Sequence, residues 1–212
     1  EKSLYYVSSM GHALTKISQL QCCEDDYNSL DDFLAKYTKE SDKIKSYTDE
    51  YNKIHKPTYK VYSLKADIFS KPNNKTKNSL PFASKLSIIH ENKNFIQFDE
   101  NKWLKKKDIK KIDHKEKDFL KILRLFLKTK YVWGGKTFNG IDCSALLQLF
   151  YYYNNFFYPR DTKDQIKYSR KQLKRKVFKK GDVIFWKGHV AVCIDSKKLI
   201  HAYGPEKKVL IM

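Results

Sequence analysis

The stretch Tyr131–Phe150, YVWGGKTFNGIDCSALLQLF, joins a loop punctuated by glycines to the start of an apolar helix. Asp is a favoured N-cap residue, so Asp142 predicts that a helix begins at Cys143. Free backbone N–H groups and the helix dipole stabilise a thiolate in the first turn. We therefore expect Cys143 to have a low pKa and to act as a nucleophile. The alternative is a small buried cysteine in a core helix.

Two segments downstream carry histidines in strand-like patterns. Gly188–Ile194 and Lys198–Tyr203 each read as a β-strand, in which successive side chains point to opposite faces. Antiparallel pairing through a turn near Asp195 can place His201 beside His189. A thiol, a base and a group that orients the base would then meet, as in a catalytic triad. The alternative for each histidine alone is an ordinary strand residue.

The cysteines allow a second interpretation. Cys193 shares the predicted strand face of His189, so Cys143, His189, Cys193 and His201 together could hold zinc. Their spacing matches no common zinc pattern, and we predict that no metal or other cofactor is used. Cys22 and Cys23 are adjacent and could form a disulfide with each other only in a strained ring.

These pieces resemble the NlpC-type cell-wall cysteine peptidases, which have a papain-like fold. The resemblance covers roughly residues 119–212, and the matching pieces come in the family's order and spacing. They are Tyr131–Gly135, Asp142–Ser144, Pro159–Asp161 with Gln165, Gly181–Asp182, Gly188–Val190 and His201–Ala202. The chain departs from the family at Ala145, where many members carry glycine. Eleven residues follow His201, where members usually continue with more sheet, so we expect a domain shortened at its C-terminus.

The resemblance also implies roles for further residues. Tyr131 is expected to support the oxyanion region, and its alternative is a core aromatic. Asp142 and Ser144 are expected to bind the free amino terminus of a peptide, and their alternative is capping of the helix. Arg160 and Asp161 are expected to contact substrate, and their alternative is to hold the loop.

Residues 58–112 read as a small all-β unit. Short strand-like segments are separated by turn-rich pieces such as Lys71–Asn74 and Glu91–Asn94. The strand candidates are Tyr59–Leu64, Ala66–Phe69, Lys85–Ile89, Phe95–Phe98 and Lys102–Leu104. This pattern looks like the bacterial SH3-like barrels that often precede NlpC-type peptidases.

The remaining regions complete an α+β fold. In residues 1–57 we expect a strand at Leu4–Val7 and a helix from about Leu30 to Ile54, and the alternative is a degenerate SH3-like barrel. A further amphipathic helix is predicted within 115–130. The predicted domains are therefore 1–57, of uncertain structure, 58–112, an SH3-like barrel, and 113–212, the peptidase.

The composition of the chain indicates which kinds of binding partner to expect. The 212 residues carry a formal charge of +19, and 41% of them are hydrophobic, which is enough for a core. Only four of the 43 basic residues are Arg, and the lysines are spread along the chain. The positive charge therefore reflects a generally lysine-rich composition and not a basic surface that binds nucleic acid. No stretch approaches the ~18 apolar residues of a membrane span. No signal peptide is visible and the chain lacks an initiator Met, so we expect a processed chain or a fragment.

The resemblance implies a thiol protease acting on bacterial peptidoglycan. The expected reaction is hydrolysis of murein stem peptides at the bond after γ-D-glutamate, in peptides with a free N-terminal L-alanine. The alternatives are an endopeptidase acting on intact cell wall and an inert wall-binding module. We expect a cytoplasmic monomer, or a periplasmic or secreted protein if a signal peptide has been removed.

Overall fold

The computed structural model describes residues 5–7, 57–169, 173 and 177–212, and the backbone alone of residues 5–7. The predicted helix from Leu30 to Ile54 lies outside these residues. Within these ranges the chain combines antiparallel sheets with three α-helices, so the predicted α+β class is confirmed.

Residues 59–111 form two antiparallel sheets. The strands are β2 (Tyr59–Val61), β3 (Lys65–Lys71), β4 (Asn74–Pro81), β5 (Lys85–Leu86), β6 (His90–Glu91), β7 (Phe95–Asp99), β8 (Lys102–Lys105) and β9 (Ile109–Lys111), with a 3-10 helix at Lys106–Asp108. One sheet has the order β5-β2-β9 and the other β4-β3-β8-β7-β6. Their small shared core consists of Val61, Ala66, Ile68, Leu86, Ile96, Leu104 and Ile109. We call residues 59–111 the β-unit.

The sequence pattern located five of these eight strands and missed β4, β6 and β9. Each of the five predicted segments contains a strand, although the segment Lys85–Ile89 is reduced to Lys85–Leu86. The predicted turn at Lys71–Asn74 is confirmed as a tight hairpin, with Asn73 at φ 68°. The strand that follows it, Asn74–Pro81, was not predicted because its residues are mainly polar and exposed. Its backbone pairing with β3 holds it in the sheet.

A second five-stranded antiparallel sheet carries the histidines. Its strands, in spatial order, are β1 (Tyr5–Val7), β12 (Val183–Trp186), β13 (His189–Cys193), β14 (Leu199–Tyr203) and β15 (Lys208–Ile211). The strand predicted near the N-terminus is confirmed, and it pairs with β12. A two-stranded ribbon, β10 (Lys136–Thr137) and β11 (Gly140–Ile141), lies in the glycine-rich loop.

Three helices accompany this sheet: α1 (Phe119–Leu125), α2 (Cys143–Tyr153) and α3 (Thr162–Ser169). The helix predicted within 115–130 is therefore confirmed in a shorter form. It begins after Asp118, whose side chain accepts a hydrogen bond from the N–H of Leu120, as an N-cap does. Lys128 has φ 68°, a left-handed conformation that helices do not continue through. No helix within the described ranges is long and apolar enough to cross a bilayer.

The β-unit shares the main hydrophobic core with the helices. Phe82, in the turn after β4, stacks on Tyr153 of α2 with ring centroids 5.0 Å apart and meets Phe126 edge-on at 5.8 Å. Lys60 is fully buried, and its ammonium donates a 2.5 Å hydrogen bond to the carbonyl of Tyr153. Lys115 donates to the next carbonyl, that of Asn154. The end of α2 is thus anchored by lysines, which suit the negative end of the helix dipole.

Candidate active site

The predicted nucleophile lies at a capped helix start. Cys143 is the first residue of α2, and the preceding Asp142 has the extended backbone of an N-cap, with φ −101° and ψ 175°. The Asp142 carboxylate accepts a 2.8 Å hydrogen bond from the N–H of Ala145. The predicted helix start and the predicted cap are both confirmed. Cys143 is 6% exposed.

The electrostatic prediction for this thiol was wrong. Burial raises the pKa of Cys143 above its ordinary value, and the negative charge of Asp142 adds to the shift. Hydrogen bonds from the backbone of Val190, the Thr162 side chain and the backbone of Ser144 lower the pKa by less. The sequence argument counted the helix N-terminus but could not count desolvation, which opposes the charged form. The fold therefore raises the pKa of Cys143 where the helix start alone would lower it.

The two predicted histidines are in direct contact. His189 begins β13 and His201 lies within β14, and their Nε2 and Nδ1 atoms are 2.8 Å apart. The strands pair Val192 with Ile200 and Cys193 with Leu199. This register puts His201 diagonal to His189 on one sheet face, within reach of a long side chain. The predicted juxtaposition is confirmed.

The contact restricts the tautomers of both rings. If His189 is to accept a proton from a thiol while neutral, its free nitrogen must be Nδ1, because Nε2 is engaged with His201. Nε2–H then donates to Nδ1 of His201, and His201 carries its own proton on Nε2. That Nε2 atom is buried and has no hydrogen-bond partner within the part of the chain that the structure describes.

Burial keeps both imidazoles neutral. It lowers the pKa of His189 and, together with the repulsion that a protonated His189 would exert, lowers the pKa of His201 to about 4. Aromatic side chains provide this environment: Tyr203 stacks on His201 at 4.7 Å, and the ring of Trp186 lies 5.6 Å from His189. A neutral His201 remains a hydrogen-bond acceptor for His189 over the whole neutral pH range.

Asp142 belongs to a dense ion pair. Arg160 binds its carboxylate bidentately, from Nη1 at 2.9 Å and from Nη2 at 2.7 Å. The same oxygens accept hydrogen bonds from the backbone of Gly134 at 2.9 Å and the hydroxyl of Ser144 at 3.2 Å. Ser144 in turn accepts from Arg160 at 2.9 Å, and Arg160 also reaches the carbonyl of Gly135 at 3.4 Å. The charge of Asp142 is therefore already balanced within the protein.

The glycine-rich loop closes tightly over this ion pair. The N–H of Asp142 donates to the carbonyl of Gly135, and the N–H of Val132 donates to that of Ile141. A Cβ added at Gly135 would lie 2.6 Å from the carbonyl oxygen of Gly140, which is too close for any side chain. Gly135 is required by this close backbone approach.

A cavity of about 570 Å³ opens over Cys143. Six of the eight predicted site residues line it: Tyr131, Asp142, Cys143, Ser144, Arg160 and Asp161. His189 and His201 do not, although Gly188, the neighbour of His189, does. Burial first, then the charges of Cys143 and Asp142, raise the pKa of Tyr131, so its phenol stays protonated and can donate a hydrogen bond.

Four residues of the site were not predicted. Thr162 is buried against the Cys143 thiol, and the exposed Lys163 beside it lines the cavity. Trp133 is 83% exposed at the cavity rim. Tyr203 covers His201. Thr162 and Lys163 directly follow the Pro159–Asp161 motif, and this position is the sequence feature that could have identified them as site residues.

One residue of the motif has a supporting role. Gln165 is fully buried, and its side-chain amide donates to the carbonyls of Ser144 and Pro159, both at 2.9 Å. It therefore ties the start of α2 to the segment before α3. Within the described ranges, no group of three or more His, Cys, Asp or Glu side chains is arranged to hold a metal ion.

A helix that presents a cysteine to a sheet bearing paired histidines defines a papain-like α+β fold. Residues 128–211 match the model of the NlpC/P60 family.

The chain is similar to dipeptidyl-peptidases of Lysinibacillus sphaericus and Bacillus subtilis. It is 35% identical over 77 residues to dipeptidyl-peptidase 6 of Lysinibacillus sphaericus, covering 36% of this chain and 28% of that protein. It is 24% identical over 184 residues to a γ-D-glutamyl-L-lysine dipeptidyl-peptidase of Bacillus subtilis, covering 80% of this chain and 62% of that protein.

A solved structure supports the fold. An NlpC/P60 family protein from Bacillus cereus superimposes with a TM-score of 0.56 at 22% identity, covering 74% of this chain and 57% of that one. The chain therefore spans less than two thirds of the length of each of these three proteins.

Proposed function

We propose that this protein is a cysteine peptidase that hydrolyses murein stem peptides after γ-D-glutamate, in peptides with a free N-terminal L-alanine. The observation that carries the proposal is the contact between His189 of β13 and His201 of β14, together with the hydrogen bond that joins the Cys143 thiol to the backbone of Val190 in β13. The names of the relatives from L. sphaericus and B. subtilis support the substrate class.

In the proposed mechanism, the thiol and the imidazole start neutral. Nδ1 of His189 removes the thiol proton as sulfur attacks the carbonyl carbon of the scissile bond. The backbone N–H of Cys143 and the hydroxyl of Tyr131 donate hydrogen bonds to the resulting oxyanion. His189 then gives its proton to the leaving amine, and a thioester remains on Cys143. Water activated by His189 hydrolyses the thioester and restores the thiol.

His201 acts through His189. Its Nδ1 accepts the hydrogen bond from Nε2–H of His189 and so holds the imidazole with Nδ1 free for the thiol. Because its own pKa is lowered to about 4, His201 does not compete for the proton that His189 takes up.

Recognition of the substrate amine falls to Asp161 in this proposal. Asp142 was the sequence-based candidate, but its carboxylate is engaged by Arg160, Ser144 and backbone N–H groups. Asp161 lines the same cavity, is exposed, and has no hydrogen-bond or ion-pair partner for its carboxylate within the described residues. A free carboxylate beside the nucleophile suits an ammonium group.

We also propose that the β-unit is an SH3-like barrel. Its two small antiparallel sheets with one short-stranded core are consistent with such a barrel. Tyr62 and Leu64 pack against the core of the NlpC/P60 domain, so the β-unit is a fixed part of the body that carries the cavity.

The test is mass analysis of products from L-Ala-γ-D-Glu-diaminopimelate, offered with a free and with an acetylated amino terminus. Release of L-Ala-γ-D-Glu from the free peptide alone is expected, and Cys143→Ala should abolish it. An exposed charge-assisted hydrogen bond of about 1.5 kcal/mol predicts a preference of roughly tenfold in kcat/KM for the free amine. Asp161→Asn should remove this preference, whereas Asp142→Asn should retain it.

Equal cleavage of the two peptides by the wild-type protein would contradict the dipeptidyl-peptidase activity. Cleavage of intact murein would then favour the wall endopeptidase. Absence of any cleavage by a folded protein would favour the binding module.

A further inference from the structure

Among the described residues, the charges that line the cavity leave one cation, Lys163, without an ion-pair partner. Four charged side chains line it: Asp142, Arg160, Asp161 and Lys163. Both terminal nitrogens of Arg160 donate hydrogen bonds, to Asp142, Ser144 and the carbonyl of Gly135, so Arg160 is a fixed part of the wall. Asp161 and Lys163 remain exposed and form no ion pair with each other or with other described residues.

Asp161 and Lys163 place one negative and one positive charge on the same short segment. Thr162 lies between them and contacts the Cys143 thiol, so both charges lie beside the nucleophile. A ligand that complements the cavity carries an ammonium group and a carboxylate close together. A solvated surface lysine is the ordinary explanation for an exposed residue such as Lys163, but it does not account for a place in the wall of the cavity.

We propose that Lys163 is a specificity-determining residue that binds a carboxylate of the substrate. The proposal rests on the proposed function and goes beyond it, because it names a second recognised group. In peptides that begin with L-Ala-γ-D-Glu, the α-carboxylate of the glutamyl residue is one peptide unit from the amine. Because Asp161 and Lys163 are separated by a single residue, this carboxylate fits the pair better than a carboxylate of the third residue does.

The inference predicts discrimination against amidated substrates. Replacing the glutamyl α-carboxylate by an amide removes the charge and keeps the size. At an exposed site, loss of one charge-assisted hydrogen bond should lower kcat/KM by about tenfold. A protein with this preference acts on peptides whose D-glutamate is free and cleaves D-isoglutamine peptides poorly.

Three peptides and two variants test the assignment. The peptides are L-Ala-γ-D-Glu-L-Lys, its D-isoglutamine analogue, and its C-terminal amide. Wild-type protein should cleave the first about tenfold better than the second and about as well as the third. Lys163→Gln should cleave the first two equally. Lys167→Gln removes an exposed lysine one turn further along α3, outside the cavity wall, and should behave as wild type. Thermal melts of the two variants should coincide.

Other outcomes are equally informative. If the C-terminal amide is the poor substrate and Lys163→Gln erases that defect, Lys163 still binds a carboxylate, but that of the third residue. If Lys163→Gln keeps the wild-type ratios for all three peptides, the assignment is wrong while the proposed peptidase stands.

If no peptide is cleaved, the proposed function fails, and calorimetry decides about Lys163. The Cys143→Ala protein should bind L-Ala-γ-D-Glu about tenfold tighter than its D-isoglutamine analogue, and the added change Lys163→Gln should equalise the two. Equal or absent binding of the two dipeptides would overturn the assignment.

Discussion

Removal of Arg160 should leave a buried carboxylate without its counter-charge. The side chain of Asp142 is 8% exposed and that of Arg160 is 29% exposed, and their bidentate contact is 2.7 Å at its shorter arm. Breaking a buried pair from one side costs about 3–5 kcal/mol, and the partial exposure of Arg160 favours the lower value. We therefore expect Arg160→Leu to lower the free energy of unfolding by about 3 kcal/mol.

A double-mutant cycle isolates the ion pair from the other contacts. Asp142→Asn keeps an oxygen for the N–H of Ala145 and leaves an arginine that water can reach, so it should cost about 1–2 kcal/mol. The double variant no longer buries an unpaired carboxylate, so it should cost no more than Arg160→Leu alone, which gives a coupling energy of at least about 1–2 kcal/mol. Urea unfolding followed by tryptophan fluorescence at pH 7 measures all four proteins.

The matched control is Arg124→Leu, at an exposed arginine in the last turn of α1. It should change the free energy of unfolding by no more than about 0.5 kcal/mol. If the Asp142 and Arg160 variants add within about 0.5 kcal/mol, the two side chains are energetically independent. Our account of the site as a preformed ion pair would then be refuted.

Three further predictions concern protonation and backbone strain. Burial lowers the pKa of His189 below 6.5 and raises that of Cys143 above 9. A plot of kcat/KM against pH should therefore be level between an acid midpoint below 6.5 and an alkaline midpoint above 9. Absorbance from a thiolate near pH 7 would contradict this prediction. Burial, followed by repulsion from Lys115 and Lys85, lowers the pKa of Lys60 from 10.5 to about 8. Between about pH 8 and pH 10.5 the unfolded chain therefore binds more protons than the folded protein, and the free energy of unfolding should rise with pH. Urea unfolding at several pH values should show this rise in the wild-type protein and not in Lys60→Met. Lys128→Gly should raise the free energy of unfolding by about 0.5 kcal/mol by relieving a left-handed conformation, and an unchanged or lower value would contradict the strain argument.

The sequence predicted those parts of the site that depend on local rules. The N-cap preference of Asp142 located the start of α2 and hence Cys143. Strand alternation and a short turn were enough to bring His201 to His189, because the two strands are neighbours in the chain. In each case the interacting residues are close in sequence, so backbone geometry leaves few arrangements.

Contacts between distant segments escaped prediction. Arg160 contacts Asp142 in the wall of the cavity, and Lys60 reaches the carbonyl of Tyr153 from the β-unit. No periodicity or spacing indicates such a pair, because it depends on how separately formed elements pack. The strand Asn74–Pro81 was missed for a related reason: its exposed polar residues carry no pattern, and pairing with β3 holds it in the sheet.

The sequence by itself determined the α+β class, the helix that starts at Cys143 and the pairing of His189 with His201. Only the tertiary structure decided the direction in which the pKa values of Cys143 and the histidines shift, and which of Asp142 and Asp161 is left to face the cavity. The physical reason is that burial and charge compensation depend on every segment packed around a group. Helix capping favours a thiolate at Cys143, but the surrounding core desolvates it and raises its pKa. Arg160, brought in by the fold, neutralises one carboxylate and leaves the other to face the cavity.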